Sequence, residues 1–417
     1  MPENFHIDMP EAVRNIIHTI EEHGFKAYAV GGCIRDSILG RNPDDWDITT
    51  SAVPSQIKTF FKRTVDTGIA HGTVTIMIDK TGYEVTTYRI DGKYEDGRHP
   101  KSVEFSDRLV DDLCRRDFTI NAMAYNDTDG FVDEFKGLDD LDAKIIRCVG
   151  EPELRFTEDA LRMMRAIRFS AQLGFTIDEA TWSAIKKLSP SISKISMERV
   201  HVELGKTLMS AHPDYVAQYS EAGLFAPILP VIDNALKSRY KRKILATLQH
   251  TPDNIYLRYA ALFITSTPDE AAKTLRALKL DNKTVDTVSK LVELSKIDIE
   301  ETEPAVRTAL NKYGRDFLPL WHELMMAVLQ ASEDIIGISN PAKVKHLLTL
   351  KRLATDILAR GDCFTIKDLD ISGNDLIEYG LQGHEIGETL KSLLDIVIEN
   401  PKLNDKATLI AMIEHIK

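Results

Sequence analysis

Two acidic residues that alternate along a predicted strand are the first candidates for chemistry in this chain. Asp45 and Asp47 stand at positions i and i+2, and side chains with this spacing on a strand point to the same face. Carboxylate oxygens are the ligands that hard divalent cations prefer. The pair therefore predicts a catalytic metal site, in which Asp45 and Asp47 hold Mg²⁺ against a nucleotide triphosphate. An Asp-x-Asp pattern is common, so the surrounding elements must decide its meaning.

A glycine pair lies just upstream of the two aspartates. Apolar spacing predicts a helix over residues 11–23, ended by Gly24, and then a strand over 25–30 that runs into Gly31 and Gly32. Glycine lacks a Cβ atom, so backbone N–H groups can approach phosphates closely. A short helix follows and presents its positive N-terminus to the same ligand. Gly32 is therefore a candidate phosphate-binding residue.

Two β-rich runs follow and predict a hairpin. Residues 73–78 and 82–89 are β-branched or alternate, and Lys80-Thr-Gly82 supplies the predicted turn. Glu84 lies in the second strand, where two interpretations stay open: a third carboxylate beside the aspartate pair, or an exposed strand glutamate. The first ~140 residues are thus predicted to form a small sheet with flanking helices.

A pair of arginines follows a polar segment. Residues 91–101 are rich in turn formers and predict a mobile loop. Arg115 and Arg116 then open what the pattern predicts to be an amphipathic helix, with Asp117 and Asn121 close by. Paired guanidinium groups suit contact with a triphosphate, whereas a surface ion pair explains the same letters.

From about residue 150 the sequence is almost entirely helical in character. Thr157 is the predicted N-cap of a helix in which Asp159, Arg162, Arg165 and the more rotated Arg168 advance by three residues, so that neighbours share a face. One interpretation is a helix with intrahelical ion pairs. The other is that Asp159 and Arg162 read the Watson–Crick edge common to cytosine and adenine, an amino donor beside a ring-nitrogen acceptor. Arg165 and Arg168 would then remain for the phosphates or for stacking.

Composition sets the outer limits of these hypotheses. The chain has 417 residues, 43% hydrophobic and 28% charged, which predicts a soluble protein of two to four domains. No membrane span and no signal peptide is visible, and four scattered cysteines predict reduced thiols, so the expected compartment is the cytoplasm. The net charge of −12 divides into −9 for residues 1–150, +3 for 151–250 and −6 for the rest. The basic excess follows the acidic site, where a polyanion could be held.

Four stretches in this order resemble the motifs of one family, the bacterial class II CCA-adding tRNA nucleotidyltransferases of the DNA polymerase beta superfamily. They are Gly31-Gly32-x-x-Arg35-Asp36 with Asp45-x-Asp47, Arg115-Arg116-Asp117-Phe118-Thr119-x-Asn121-Ala122-Met123, Glu158-Asp159-x-x-Arg162 and Ile195-Ser196-x-Glu198-Arg199-x-x-x-Glu203-Leu204. The segment Asp96-Gly97-Arg98-His99-Pro100 matches a loop element of the family, and its presence favours completion with A. Four ordered motifs are a highly specific signal.

The resemblance implies an α+β fold in an elongated arrangement. A small N-terminal mixed β-sheet nucleotidyltransferase head (1–145) would be followed by an all-α neck with the base-selecting helix (146–215), a body (216–290) and a tRNA-binding tail (291–417). It implies addition of C, C and A to the tRNA 3′ end from CTP and ATP by two-metal nucleotidyl transfer with Mg²⁺. Gly32, Arg35 and Arg116 would contact the triphosphate or its ribose, while Asp159 and Arg162 would select the base.

Several alternatives stay open. A bacterial poly(A) polymerase shares the head motifs but usually carries a basic C-terminal extension, and residues 251–417 are net acidic here. A partial enzyme that adds only A is harder to exclude, and a homodimer is also left open. An RNA-binding relic is opposed by the intact aspartate pair. A small-molecule nucleotidyltransferase would leave the long helical remainder without a role.

Overall fold

The computed structural model describes residues 6–92 and 102–416, and the chain divides into two compact units, Met1–Pro230 and Val231–Lys417. The strands all lie in the first unit and are β1 (Ala27–Val30), β2 (Asp47–Thr50), β3 (Thr64–Gly68), β4 (Thr73–Ile78), β5 (Thr81–Thr87), β6 (Arg89–Asp91), β7 (Val103–Phe105), β8 (Ala124–Asn126), β9 (Gly130–Val132), β10 (Ile145–Ile146) and β11 (Thr176–Ile177), within the described residues. The predicted boundaries near 145, 215 and 290 divide the chain differently and stay predictions.

Helices run through the whole chain and predominate after residue 150. They are α1 (Glu11–Glu22), α2 (Gly32–Ile38), α3 (Pro54–Phe60), α4 (Leu109–Cys114), α5 (Gly137–Asp142), α6 (Pro152–Glu158), α7 (Leu161–Leu173), α8 (Glu179–Leu188), α9 (Met197–Leu208), α10 (Ala217–Glu221), α11 (Pro230–Lys237), α12 (Lys241–His250), α13 (Ile255–Leu262), α14 (Pro268–Ala277), α15 (Asn282–Leu294), α16 (Glu303–Tyr313), α17 (Phe317–Ile336), α18 (Pro341–Arg360), α19 (Gly373–Glu378), α20 (His384–Glu399) and α21 (Lys406–Ile416). The predicted α+β class, a mixed-sheet head followed by helices, is confirmed.

The main sheet of the first unit is mixed. Within the described residues its strand order is β3-β4-β5-β2-β1-β8-β9, and neighbours are antiparallel except β2 and β5, which are parallel. Helix α1 packs on this sheet through Val13, Ile16, Ile17 and Ile20, all buried. It ends at Glu22, and Gly24 follows with a φ of +83°, as the sequence predicts.

The predicted hairpin forms, but its turn is shifted. Strands β4 and β5 pair from Thr73↔Thr86 to Ile78↔Thr81, so the turn consists of Asp79 and Lys80 instead of residues 80–82. Both turn residues have positive φ, 46° and 71°. A two-residue turn with this conformation matches the right-handed twist of the strands, and this geometry overrides the preference for glycine.

The helix predicted to open at Arg115 is wrong. Helix α4 ends at Cys114, one residue before the arginine pair, and a short 3-10 turn over Thr119–Asn121 leads into β8. Ala124 pairs with Val30 of β1 and is fully buried, so sheet pairing fixes this segment against its helical pattern.

The helix predicted to carry Asp159 is also wrong in its boundaries. Pro152 stands in the first turn of α6, which ends at Glu158, and α7 begins only at Leu161. Thr157 lies inside α6 and donates to the Glu153 carbonyl, so it is not an N-cap. Asp159 is extended, and its carboxylate accepts the Leu161 N–H. A short acidic side chain that caps the following turn competes with helix continuation.

The second unit is helical throughout its described residues. The last helices share an apolar cluster that includes Leu376, Leu393, Val397 and Leu409. Arg307 of α16 is buried and bonds to Asp362 at 3.1 Å and to Glu303 at 2.8 Å. Among the helices of both units as far as they are described, none is long and apolar enough to cross a membrane.

Candidate active site

Strand register brings Glu84 to the cleft that Asp44, Asp45 and Asp47 line. Asp47 is the first residue of β2, and the parallel pairing of Ile48 with Val85 sets Asp47 beside Glu84 of β5. This cleft has a volume of about 510 Å³, and Trp46 and Tyr83 line it together with Asp45, Asp47 and Glu84. The sequence left the position of Glu84 open, and the fold sets it next to the aspartate pair.

The charges in this cleft favour a bound cation. Desolvation raises the pKa of Asp47, Arg116 opposes that rise, and Asp45 adds to it by repulsion. Desolvation also raises the pKa of Glu84, with repulsion from Asp47 and Asp45 in the same direction. Carboxylates that repel one another at a shared cleft are the donor set that a hard divalent cation stabilises.

The protein alone supplies an incomplete cage for such a cation. Within residues 6–92 and 102–416, no group of three or more His, Cys, Asp or Glu side chains is arranged to hold a metal ion. Divalent cations at nucleotide sites usually take one or two carboxylates and complete their shell with phosphate oxygens and water. Asp45 and Asp47 fit that pattern.

The glycine pair stands at the end of β1, next to the cleft. Val30 pairs with Asp47, and Gly31 follows with a φ of +86°, a backbone conformation that side chains rarely tolerate. A Cβ atom at Gly31 would lie 2.9 Å from Nη1 of Arg116. Gly32 then begins α2. The glycine at position 31 is thus required both by its backbone angle and by the guanidinium group that lies against it.

The two neighbouring arginines have different surroundings. Asp112 of α4 is fully buried and accepts from Nε and Nη2 of Arg115, at 2.9 and 2.7 Å, and from Nη2 of Arg116 at 3.3 Å. Burial disfavours its charged form, but Arg115 and Arg116 still hold the pKa of Asp112 below its ordinary value. The pair is therefore not a surface ion pair; it is organised by a buried carboxylate.

Arg35 is buried under the same glycine pair. It donates from Nε and Nη2 to Asp36, at 3.0 and 2.7 Å, and from Nη1 to Asn121 at 2.7 Å. Asn121 in turn donates to Asp117 at 3.1 Å. Three of the five N–H groups of a guanidinium are thereby engaged, which leaves two for a ligand.

Asp159 and Arg162 lie at the break between α6 and α7, and each has another partner. Arg199 of α9 donates from Nη1 and Nη2 to the two Asp159 oxygens, at 3.2 and 2.7 Å. Arg162 donates to Glu158 at 2.5 Å and to the Arg115 carbonyl at 3.0 Å. The described ion pair of Arg162 is with Glu158 and that of Asp159 is with Arg199, and the two residues are separated by the start of α7 at Leu161.

The two remaining arginines of α7 differ in exposure. The Arg165 side chain is 34% exposed and donates to Asp117 at 2.7 Å. Burial opposes the charged form of Asp117, but chiefly Arg165 holds its pKa far below the ordinary range. Arg168 is buried, donates to Glu203 at 2.5 Å and lies 3.8 Å from the centre of the Phe169 ring. A direct phosphate contact by Arg168 would require this ion pair to open, so its part in nucleotide binding stays a prediction.

Three functional candidates were missed by sequence reasoning. They are Asp112, which binds Arg115, Glu158, which binds Arg162, and Arg199, which binds Asp159. A signal existed for Arg199 and Glu158, which lie inside matched motifs, whereas Asp112 stands in an ordinary acidic run. The loop element at 96–100 lies outside the described residues.

The mixed sheet, its paired carboxylates and the guanidinium groups over a glycine turn define a nucleotidyltransferase head. Family models match the chain in three parts: a poly A polymerase head domain over residues 27–147, a probable RNA and SrmB-binding site of polymerase A over 174–236, and a tRNA nucleotidyltransferase domain 2 over 254–413. The protein is a nucleotidyltransferase, and its head fold implies use of a divalent metal.

Whole-length relatives carry the comparison further. The CCA-adding enzyme of Pediococcus pentosaceus is 34% identical over 98% of each chain, and that of Levilactobacillus brevis is 36% identical over 99% of this chain and 98% of the relative. A solved CCA-adding enzyme of Bacillus stearothermophilus in complex with CTP has a TM-score of 0.75 and 32% identity, covering 97% of this chain and 96% of that one. The chain belongs to the CCA-adding enzyme family.

Proposed function

We propose that the protein adds C, C and A to the 3′ end of tRNA, using CTP and ATP and no nucleic-acid template. One observation carries the proposal, the end-to-end similarity to CCA-adding enzymes at 34% identity or more. The intact carboxylates at positions 45 and 47 support it, because an RNA-binding relic would need neither. The cytoplasm is the proposed compartment, and the homodimer stays a prediction.

In this proposal Asp45 and Asp47 hold Mg²⁺. When bound, the metal lowers the pKa of the tRNA 3′-hydroxyl and neutralises charge on the triphosphate. Asp47 begins β2 and Asp45 lies two residues before it; both line the cleft, and their mutual repulsion favours the loaded state. Glu84, on the neighbouring strand, faces the same cleft and adds negative charge near the cation.

Triphosphate binding is assigned to the glycine pair and its guanidinium groups. Gly32 begins α2, so its backbone N–H group is not consumed by an earlier helical turn. Arg35 keeps two N–H groups, and Arg116 keeps most of its donors. Arg165 is partly exposed and suits the phosphates or stacking, while Arg168 would act only through its buried pair with Glu203.

Base selection is assigned to Asp159 and Arg162. A carboxylate has about four lone-pair positions, and the described contacts of Asp159 use three of them. One acceptor position on Oδ2 therefore remains for the amino group of cytosine or adenine. Arg162 would donate to the ring nitrogen after it releases a present partner. Uracil and guanine show a carbonyl oxygen beside a ring N–H, so their carbonyl oxygen would face the Asp159 carboxylate, acceptor against acceptor.

The experiment is a product-length assay. Three tRNAs, ending at the discriminator base, after one C and after two C, are incubated with the protein and CTP, ATP or both. The proposal expects growth to CCA and arrest there. Long A tails would favour a poly(A) polymerase, and extension of only the CC-ending tRNA would favour an A-adding partial enzyme; either result would overturn the proposal.

A further inference from the structure

We propose that Asp112 is a positioning residue for nucleotide binding, which holds the Arg116 guanidinium over the glycine pair so that it meets the triphosphate. This inference rests on the proposed function. Asp112 lies in α4, outside the matched motifs, and contacts neither the cleft carboxylates nor solvent. It binds Arg115, Arg116 and Thr49 of β2, and of these Arg116 is the group that lies against the glycine pair.

The Asp112 carboxylate is divided between two guanidinium groups. Oδ1 of Asp112 takes two hydrogen bonds from Arg115, at 2.9 and 2.7 Å, and Oδ2 takes one from Arg116 at 3.3 Å. Arg115 also lies 4.0 Å from Asp91 of β6. Arg115 thus takes the two shorter hydrogen bonds of Asp112, and Arg116 takes the single longer one.

The Arg116 guanidinium lies against the glycine pair. Nη1 of Arg116 lies so close to Gly31 that a Cβ there would be 2.9 Å away. Nε of Arg116 is buried and has no hydrogen-bond partner among the described residues. A guanidinium with five donors, whose bond to Asp112 at 3.3 Å is the one that residues 6–92 and 102–416 supply, is arranged to receive an anion. Gly31 directly follows Val30, which pairs with Asp47, so Arg116 lies beside the end of β1 nearest the cleft.

An alternative role for Asp112 is that it only stabilises the fold. Its bonds to Arg115 join α4 to its own C-terminal turn, and loss of a buried paired carboxylate destabilises any protein. A purely structural role, however, would not act through Arg116. The two roles are separated by a double-mutant cycle, in which residues that act through one interaction give non-additive effects.

The test compares Asp112→Asn, Arg116→Ala and the double variant with the wild-type full-length protein. The measured quantities are KM and kcat for CTP and ATP on tRNA, the Kd of CTP and of CMP without tRNA, and the thermal midpoint. We expect Asp112→Asn to raise KM for both nucleotides about tenfold, the loss of one charge-assisted hydrogen bond, with kcat nearly unchanged. Binding of CTP should weaken while binding of CMP changes little.

In the Arg116→Ala background, Asp112→Asn should have no further effect on KM. The control is Asp233→Asn, which removes another buried carboxylate, paired with Lys237 at 2.8 Å in the second unit, and should leave KM unchanged. If Asp112→Asn does not fold, the cycle uses Asp112→Glu, which keeps the charge and should raise KM by more than twofold but by less than Asp112→Asn.

Two results would overturn the inference: KM within twofold of wild type in a folded Asp112 variant, or an equal rise in KM with and without Arg116. Failure of the proposed function is distinguishable, because the wild-type protein itself would then not extend tRNA to CCA.

Discussion

Replacement of Arg199 by alanine should damage base selection, although Arg199 lies 40 residues from Asp159 in the sequence. Its two N–H groups hold both Asp159 oxygens at 3.2 and 2.7 Å, and the side chains are only 23% and 14% exposed. Without Arg199, the Leu161 N–H remains as the described partner of this carboxylate. The Asp159 side chain should then lose its fixed orientation toward the incoming base.

The magnitude follows from the kind of bond that is lost. Hydrogen bonds to charged groups contribute about 1.5–3 kcal/mol when they are shielded from water. If the lost hydrogen bonds orient Asp159 in the transition state, the activation free energy rises by this amount, and kcat/KM for CTP should fall about 10- to 150-fold. Incorporation of UTP should fall less, because uracil has a carbonyl where cytosine has an amino group and so makes no hydrogen bond to the Asp159 carboxylate. The discrimination between CTP and UTP should therefore decrease.

The assay is single-nucleotide extension of a tRNA that ends at its discriminator base, with each nucleotide supplied alone. Lys187→Ala is the matched control, since Lys187 forms an exposed ion pair with Glu153 at 2.8 Å and should change kcat/KM by less than about fivefold. A folded Arg199→Ala protein with unchanged discrimination would refute the bracing of Asp159 by Arg199.

Three further predictions concern stability and the metal site. Asp47→Asn should abolish nucleotide transfer yet raise the thermal midpoint measured without divalent cation, because it removes a carboxylate whose pKa is raised by desolvation and by Asp45; a lowered midpoint would contradict this. Asp117 is buried, and desolvation opposes its charged form, but Arg165 holds the pKa of Asp117 below its ordinary value of 3.8. The ion pair therefore contributes fully to the free energy of unfolding above pH 3.8, and this contribution is lost as the pH falls further. Chemical denaturation should show Asp117→Asn costing about 1–3 kcal/mol at pH 7 and progressively less below pH 3.8. Tyr259→Phe should be neutral or stabilising in the same assay, because this buried hydroxyl has no partner among the described residues, whereas Tyr219→Phe should cost about 1 kcal/mol because its hydroxyl lies 2.7 Å from the Thr207 hydroxyl.

The sequence predicted the elements whose periodicity is local. The apolar face of α1, the end of that helix before Gly24 and the β4–β5 hairpin follow from residue spacing, and the structure confirms them. These features need no knowledge of distant segments. The strand predicted to carry both Asp45 and Asp47 begins only at Asp47, so strand spacing alone does not set the two carboxylates on one face, although both line the same cleft.

The features that sequence reasoning missed or left open depend on contacts between distant segments. Glu84 joins the cleft because β2 and β5 pair in parallel, a register that no local pattern encodes. The helix break at Asp159 depends on a side-chain cap and on Arg199. Asp112 was overlooked because an acidic residue beside two arginines most often marks a solvated surface, and its burial against β2 appears only in the folded chain.

In the proposed mechanism, protein side chains and not a nucleic-acid template choose the added base. The most direct measurement supplies all four nucleoside triphosphates at equal concentration to a tRNA that ends at its discriminator base and sequences the added nucleotides. The account predicts CCA from the wild-type protein, and U or G among the additions from Asp159→Ala. An Asp159→Ala protein that still adds only CCA would contradict it.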